Sequence, residues 1–176
     1  MIATSKTLEQ LPEALRAALD CALDRKAAGP VLLDVSEIAG YTDWVLLLSG
    51  RSDRHVAGIT DAIMRGLKER GVRVMGSDGL QDHLWDLLDY EDFIIHVFYH
   101  PVRLHYDLEG MWSDAPRVEL GLPEDVMDTT SLEQLNAPSP MPAFRGQEFG
   151  GFEDEFEDED DDDDDDDDDL DAVAPS

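Results

Sequence analysis

The middle of the chain constrains the fold most, because its pattern predicts a strand, a helix and a second strand in succession. Residues 44–48 are apolar without alternation, which is typical of a strand buried on both faces in a parallel or mixed sheet. Ser52 or Asp53 is placed to cap a helix with an apolar stripe, and Gly71 stands where that helix ends. Residues 72–75 are predicted as the next strand. A helix that joins two strands in this way predicts parallel strands and an α/β (α+β) fold.

The neighbouring segments complete a single mixed sheet with flanking helices. Apolar residues at helical spacing predict a helix over residues 8–23, and the Gly-Pro pair at residues 29–30 is expected to end it. The polar turn at residues 89–92 separates two apolar runs and predicts a β-hairpin. The His-Pro pair at residues 100–101 is expected to start a short helix over residues 103–112. We therefore predict about five strands, at residues 31–35, 44–48, 72–75, 84–88 and 93–98.

Composition divides the chain into three parts. Residues 1–118 carry the periodic apolar residues and are predicted to form the folded domain. Residues 119–150 are rich in proline and are predicted to be a largely irregular linker with a helical turn or two. Ten consecutive aspartates occupy residues 160–169, where they repel one another and supply no apolar surface. Residues 151–176 are therefore predicted to be a disordered polyacidic tail.

The net charge restricts the class of partner. Residues 1–150 contain 25 acidic side chains against 13 basic ones, and the basic residues of the whole chain all lie in this part. Affinity for nucleic acid depends largely on Lys and Arg side chains that displace counterions from phosphates. The composition therefore predicts little direct contact with nucleic acid and favours a basic protein as partner.

Cysteine content and hydropathy indicate the compartment. Cys21 is the only cysteine, so an internal disulfide is impossible and a reducing compartment is the simplest setting. No apolar run approaches the roughly 20 residues needed to span a bilayer, and the first eleven residues do not resemble a signal peptide. We expect a cytoplasmic protein without membrane contact.

Two groups of residues invite a chemical interpretation. Gly50 and Ser52 stand between a predicted strand and a helix N-terminus, where free N–H groups attract phosphate, but the spacing matches neither the dinucleotide-binding nor the P-loop pattern. His96, His100 and His105 lack a cysteine or a nearby carboxylate that would complete a known ligand spacing. The sequence thus predicts no catalytic residue, no metal and no cofactor.

The aromatic residues Trp85, Tyr106 and Trp112 are candidates for recognition. Trp and Tyr bury much apolar area with little loss of rotamer freedom, and they often anchor interfaces. The alternative to a role in recognition is that each ring belongs to the hydrophobic core of the domain. Carboxylates at Asp107 and Glu109 share the predicted helix with Tyr106. An aromatic anchor rimmed by acids suits a basic protein surface.

Four short signatures in a fixed order resemble the ribosomal silencing factor family, also called iojap. They are Thr-Asp at residues 42–43, Ser-Gly-Arg-Ser-Asp-Arg-His at 49–55, Asp-Tyr-Glu-Asp at 89–92 before Ile-His-Val-Phe at 95–98, and Tyr-Asp-Leu-Glu-Gly-Met-Trp at 106–112. The resemblance covers roughly residues 5–116. Ser77-Asp78-Gly79 and Glu91 depart from the pattern that is usual in the family, which also lacks a polyaspartate tail.

The resemblance implies a binding protein that is not an enzyme. Members of the family dock on large-subunit ribosomal protein fourteen and prevent the small subunit from joining, which lowers translation when nutrients are scarce. A homodimer is compatible with this role. Trp85→Ala is then expected to lose about 2 kcal/mol of affinity if the ring is a central anchor. Carried over to this chain, the docking face includes Trp85, Asp89, Asp92, Arg103, Tyr106, Glu109 and Trp112.

Two alternatives remain open on the sequence. The fold of the family is similar to that of nucleotidyltransferases, so a nucleotide-binding enzyme that uses Gly50 and Ser52 is one. That chemistry needs two metal-binding carboxylates on the next strand, and residues 72–75 contain none. The other alternative is that the polyacidic tail itself binds basic proteins in competition with RNA.

Overall fold

A computed structural model describes residues 8–145, which form one mixed five-stranded sheet with helices on both faces. The predicted fold class is confirmed. Strand order across the sheet is β1-β2-β5-β4-β3, with β2 and β5 parallel and the other neighbours antiparallel. The strands are β1 (Ala28–Asp34), β2 (Trp44–Gly50), β3 (Gly76–Asp78), β4 (Trp85–Asp89) and β5 (Phe93–Tyr99).

The helices divide between the two faces of the sheet. The two longer helices pack on each other and on one face, while the two helices that follow β5 cover the other. Single 3-10 turns lie at Leu8–Gln10 and Thr130–Leu132. The α-helices are α1 (Glu13–Asp24), α2 (Asp53–Glu69), α3 (His100–Tyr106), α4 (Leu108–Met111) and α5 (Glu124–Met127).

The predicted strand at residues 72–75 is wrong by several positions. Ser52 caps α2 as expected, and Gly71 ends the helix with a φ of 81°. The N–H of Val72 donates back to the carbonyl of Leu67, so the chain leaves the helix through a tight turn before it can join the sheet. Pairing begins only at β3 on the far edge. β3 runs in the same direction as β2, but β5 and β4 lie between them.

The Gly-Pro pair at residues 29–30 does not end the first helix. That helix ends at Asp24, where Lys26 adopts a φ of 59° and the N–H of Ala27 donates to the carbonyl of Ala22. Pro30 instead lies within β1, beside a register shift between Ala28 and Val31. A strand at the edge of a sheet tolerates a proline because one side of its backbone is unpaired.

The predicted helix at residues 103–112 is broken in two. It starts earlier, at His100, and stops at Tyr106. Asp107 adopts a left-handed conformation with a φ of 46°, and its carboxylate then accepts a hydrogen bond from the N–H of Gly110 at 3.2 Å. Asp107 therefore ends α3 and caps α4, so the chain changes direction across the sheet.

Residues 119–145 form little regular structure beyond α5 and one 3-10 turn, and they lie against the domain. Leu120 and Leu132 are buried, and the hydroxyl of Tyr99 donates to the carbonyl of Asn136 at 2.9 Å. The predicted division of the chain at residue 118 stays a prediction. The predicted tail, residues 151–176, lies outside the described residues. Within residues 8–145, no helix combines the length and the apolar character needed to cross a membrane.

Candidate functional site

Trp85, the predicted anchor, lies at the centre of an apolar cluster between the sheet and the helices α3 and α4. Its side chain is fully buried, and its indole N–H donates to Nδ1 of His96 at 3.0 Å. The ring centroids of Phe98 and Tyr106 lie 4.9 Å and 5.1 Å from that of Trp85. Trp85 is therefore a core residue in this structure. Its contact with a partner stays a prediction, and such a contact requires the atoms that cover the ring to move.

A C-terminal strap, defined as residues 141–145, covers the remaining side of this cluster. The ring of Phe144 lies 5.7 Å from Trp85 and 5.4 Å from Tyr106, centroid to centroid. The hydroxyl of Tyr106 donates to the carbonyl of Pro142. No pattern in the sequence indicated this contact, since residues 119–150 were predicted to be a linker.

Arg103 is buried and joins three parts of the chain. Its guanidinium donates to the carbonyl of Gly29 at 2.8 Å, to the hydroxyl of Ser49 at 2.9 Å and to the carboxylate of Glu109 at 2.5 Å. These bonds connect β1, β2 and α4 to α3. Because only 6% of the Arg103 side chain is exposed, it supports the helices from beneath and offers little surface to a partner.

His100 belongs to the same polar network. Its Nδ1 lies 2.9 Å from the hydroxyl of Ser49, and the other ring nitrogen is buried without a hydrogen-bond partner among the described residues. Burial lowers the pKa of His100, and the nearby charge of Arg103 lowers it further. Both effects favour the neutral imidazole.

The structure brings together only part of the predicted docking face. Tyr106, Glu109 and Trp112 lie half-buried on α3 and α4 or directly after them, next to the Trp85 cluster. Asp89 ends β4, at the opposite end of that strand from Trp85, and Asp92 is the last residue of the turn before β5. In that turn the carboxylate of Asp89 accepts the N–H of Glu91 at 2.8 Å. The acid therefore orders the turn.

Two exposed apolar residues lie beside the predicted docking residues and were missed. Leu104 on α3 is 53% exposed and Met111 on α4 is 45% exposed. We call these two residues, with Trp112 and the exposed acids Asp107 and Asp114, the α3–α4 surface. The sequence analysis singled out neither Leu104 nor Met111. The break at Asp107, which sequence reasoning did not foresee, decides which side chains face solvent.

The opposite face of the sheet contains a second buried polar group. The carboxylate of Asp86 accepts a hydrogen bond from the hydroxyl of Thr60 at 2.6 Å and lies 2.7 Å from Nδ1 of His83. Burial raises the pKa of Asp86, although both hydrogen bonds act in the other direction. Because Thr60 lies on α2 and Asp86 on β4, this group joins the helix to the sheet.

Three N–H groups at the start of α2 are already bonded to side chains. The N–H of Arg51 donates to Nδ1 of His55 at 2.9 Å, and the N–H of His55 donates to the hydroxyl of Ser52 at 3.0 Å. The N–H of Arg54 donates to the carboxylate of Asp53 at 2.7 Å. These bonds disfavour the nucleotide-binding alternative. Residues 8–145 also contain no group of three or more His, Cys, Asp or Glu side chains placed to hold a metal ion.

Comparison with known proteins agrees with this architecture. A family model described as "Ribosomal silencing factor during starvation" matches residues 8–144. The chain is similar to the ribosomal silencing factor RsfS of Halalkalibacterium halodurans, with 33% identity over 108 residues, or 61% of this chain and 92% of the relative. It is also similar to the chloroplastic protein Iojap of Arabidopsis thaliana, with 29% identity over 99 residues, or 56% of this chain and 41% of the relative.

Two solved structures are similar as well. A crystal structure of a Chromobacterium violaceum protein has a TM-score of 0.56 and 26% identity, and the match covers 69% of this chain and 97% of that one. A crystal structure of a Bacillus halodurans protein has a TM-score of 0.56 and 31% identity, with coverage of 61% and 98%. The solved folds thus correspond to about two thirds of this chain.

Proposed function

Since the chain belongs to the ribosomal silencing factor family, we propose that it docks on large-subunit ribosomal protein fourteen and blocks joining of the small ribosomal subunit. Translation is thereby repressed when nutrients are scarce. The mechanism is occupancy: a footprint of roughly 1,200–2,000 Å² is sufficient if it overlaps a contact between the two subunits. No step requires covalent chemistry or a cofactor.

The α3–α4 surface is the observation that carries the proposal. Leu104 and Met111 are its exposed apolar side chains, and the exposed carboxylates Asp107 and Asp114 each follow one of them three residues later in the chain. Interfaces commonly place apolar side chains at the centre and polar ones at the rim. An acidic rim complements a basic partner and raises the rate of association with it. The excess of acids over bases in residues 1–150 has the same effect over the whole domain.

The seven predicted docking residues have different roles in this proposal. Tyr106, Glu109 and Trp112 contact the partner from the α3–α4 side, and Asp89 with Asp92 extends the contact to the β4–β5 turn. Arg103 holds the helices in place from beneath. Trp85 contacts a partner only when the C-terminal strap moves aside. A homodimer formed through the helical or sheet surfaces stays a prediction.

Leu104→Arg tests the docking surface. A cation at the apolar centre repels a basic partner and loses buried area, so affinity for isolated large subunits is expected to fall about tenfold or more. Because Leu104 is 53% exposed, the change should leave the fold intact. Cosedimentation with purified large subunits measures the affinity, and crosslinking of the bound wild-type protein identifies the contacted ribosomal protein.

Ile38→Arg is the control, since Ile38 is 48% exposed and lies in the segment between β1 and β2, outside α3 and α4. It should bind as the wild type does. Equal binding by Leu104→Arg and the wild type would remove the α3–α4 surface from the interface. Crosslinks to a protein other than large-subunit ribosomal protein fourteen would show that the proposed partner is wrong.

A further inference from the structure

The C-terminal strap closes a cleft that is otherwise lined by residues of the domain. Trp85 and Tyr106 form its aromatic wall, and Asp78 at the end of β3 supplies a carboxylate. Phe144 packs on both rings, while Nε of Arg145 lies 3.1 Å from the Asp78 carboxylate. The guanidinium of Arg145 also lies 6.0 Å from the centroid of the Trp85 ring, within the range of a cation–π contact. The cleft thus accepts an apolar ring followed by a cation.

The strap is held almost entirely by side chains. It contains no helix or strand, and within residues 8–145 its backbone forms no hydrogen bond to other backbone groups. Its polar attachments are the bond from Tyr106 to the carbonyl of Pro142 and the ion pair between Arg145 and Asp78. A segment without ladder or helical hydrogen bonds opens at a smaller free-energy cost than the sheet beneath it.

The strap covers two of the predicted docking residues, since both Trp85 and Tyr106 contact Phe144. Trp85 has no exposed surface while the strap is in place. Phe144 itself is only half-buried, so it is the outer layer of the cluster. A partner that inserts an apolar side chain next to a basic one would contact the same two aromatic rings and the same carboxylate that Phe144 and Arg145 contact in this structure.

We propose that Phe144 and Arg145 act as an internal competitor for the docking face, bound to the Trp85–Tyr106–Asp78 cleft until a partner displaces them. This inference rests on the proposed function and adds regulation to it. Only the open fraction of molecules binds, so the apparent dissociation constant equals the intrinsic one divided by that fraction. If the strap is closed in about nine molecules of ten, its removal tightens binding about tenfold.

Full-length Phe144→Ala tests the competition directly. The ring that contacts Trp85 and Tyr106 is lost, so binding to purified large subunits is expected to tighten about three- to tenfold. Arg145→Gln, which removes the ion pair with Asp78 and leaves the apolar cluster intact, should tighten binding in the same direction. Phe149→Ala makes the same chemical change outside the described residues and should bind as the wild type does. Circular dichroism establishes that each variant is folded.

Each outcome of the cosedimentation decides the proposal. Tighter binding by both strap variants with an unchanged control supports it. Equal binding by all four proteins overturns the competition and leaves the proposed docking intact. Weaker binding by the strap variants also overturns it, because the strap would then contribute to the interface. If none of the four proteins binds large subunits, the proposed function fails, and the competition built on it is overturned as well.

Discussion

At the scale of single residues, burial separates the groups that support the proposed docking surface from the groups that form it. Trp85 and Arg103 are inside the domain, while Leu104 and Met111 are outside. His96 is also buried, and its Nδ1 accepts the indole N–H of Trp85 at 3.0 Å. An acceptor at that nitrogen requires a neutral ring. The orientation of Trp85 is therefore linked to the protonation of His96.

His96 should make the stability of the domain depend on pH. Burial lowers the pKa of His96 to about 3, below the ordinary value of 6.5, so the unfolded state binds a proton that the folded state excludes. The stability that the neutral ring contributes is complete above about pH 6.5 and is lost as the pH falls towards 3. The expected loss is about 1.4 kcal/mol per pH unit.

His96→Asn isolates this effect, because Asn keeps a hydrogen-bond acceptor but does not titrate. Urea unfolding of both proteins at several pH values between 7 and 4.5 gives the difference in their free energies of unfolding. Other titrating groups, such as Asp86 and His100, are present in both proteins and largely cancel. The wild-type advantage should shrink below pH 6.5. A difference that stays constant over this range would show that His96 is not held neutral by the fold.

At the scale of elements, the sequence predicted what local rules determine. Ser52 caps α2 through its hydroxyl, Gly71 ends that helix in a left-handed conformation, and the turn at residues 89–92 joins an antiparallel pair. Two of the errors have a common cause, which is a left-handed conformation at a residue that is not glycine. Lys26 and Asp107 adopt left-handed conformations without being glycine.

The burial of the candidate site was not predictable from the sequence. The signature at residues 106–112 contains Tyr106, Glu109 and Trp112, but it does not reveal that Arg103 is buried or that α3 and α4 are separate helices. Burial depends on contacts between residues far apart in the chain, such as the bond from Arg103 to Gly29. The strap over Trp85 is a contact of the same kind.

Arg103 should determine whether α3 and α4 stay docked on the sheet. Arg103→Ala leaves the hydroxyl of Ser49 and the carbonyl of Gly29 without their donor, and Glu109 without its cation. Removal of one partner from a buried ion pair commonly costs about 3–5 kcal/mol. Arg103→Lys keeps the charge without the forked donor and should lose less. Urea unfolding monitored by circular dichroism measures both losses.

Arg54→Ala is the control for Arg103, because Arg54 is exposed on the first turn of α2. Its effect should lie within about 0.5 kcal/mol of zero, as is usual for surface positions. If Arg103→Ala were no more destabilising than Arg54→Ala, the network would be incidental to the packing of α3 and α4.

At the scale of the whole molecule, the chain combines a sheet domain with a cover that side chains hold in place. The domain presents an apolar surface with acidic residues around it, and the strap lies next to that surface. Residues 153–171, beyond the strap, add 17 acidic side chains to a domain that is already acidic. Electrostatic attraction to a basic partner therefore acts over the entire chain and weakens as salt screens it.

The central claim is that bound protein prevents the two ribosomal subunits from joining. Light scattering of purified small and large subunits, mixed in magnesium with increasing protein, measures the joined fraction directly. We predict that this fraction falls in proportion to the large subunits occupied, and that Leu104→Arg shifts the curve to higher concentration. An unchanged joined fraction when all large subunits carry the protein would contradict the account.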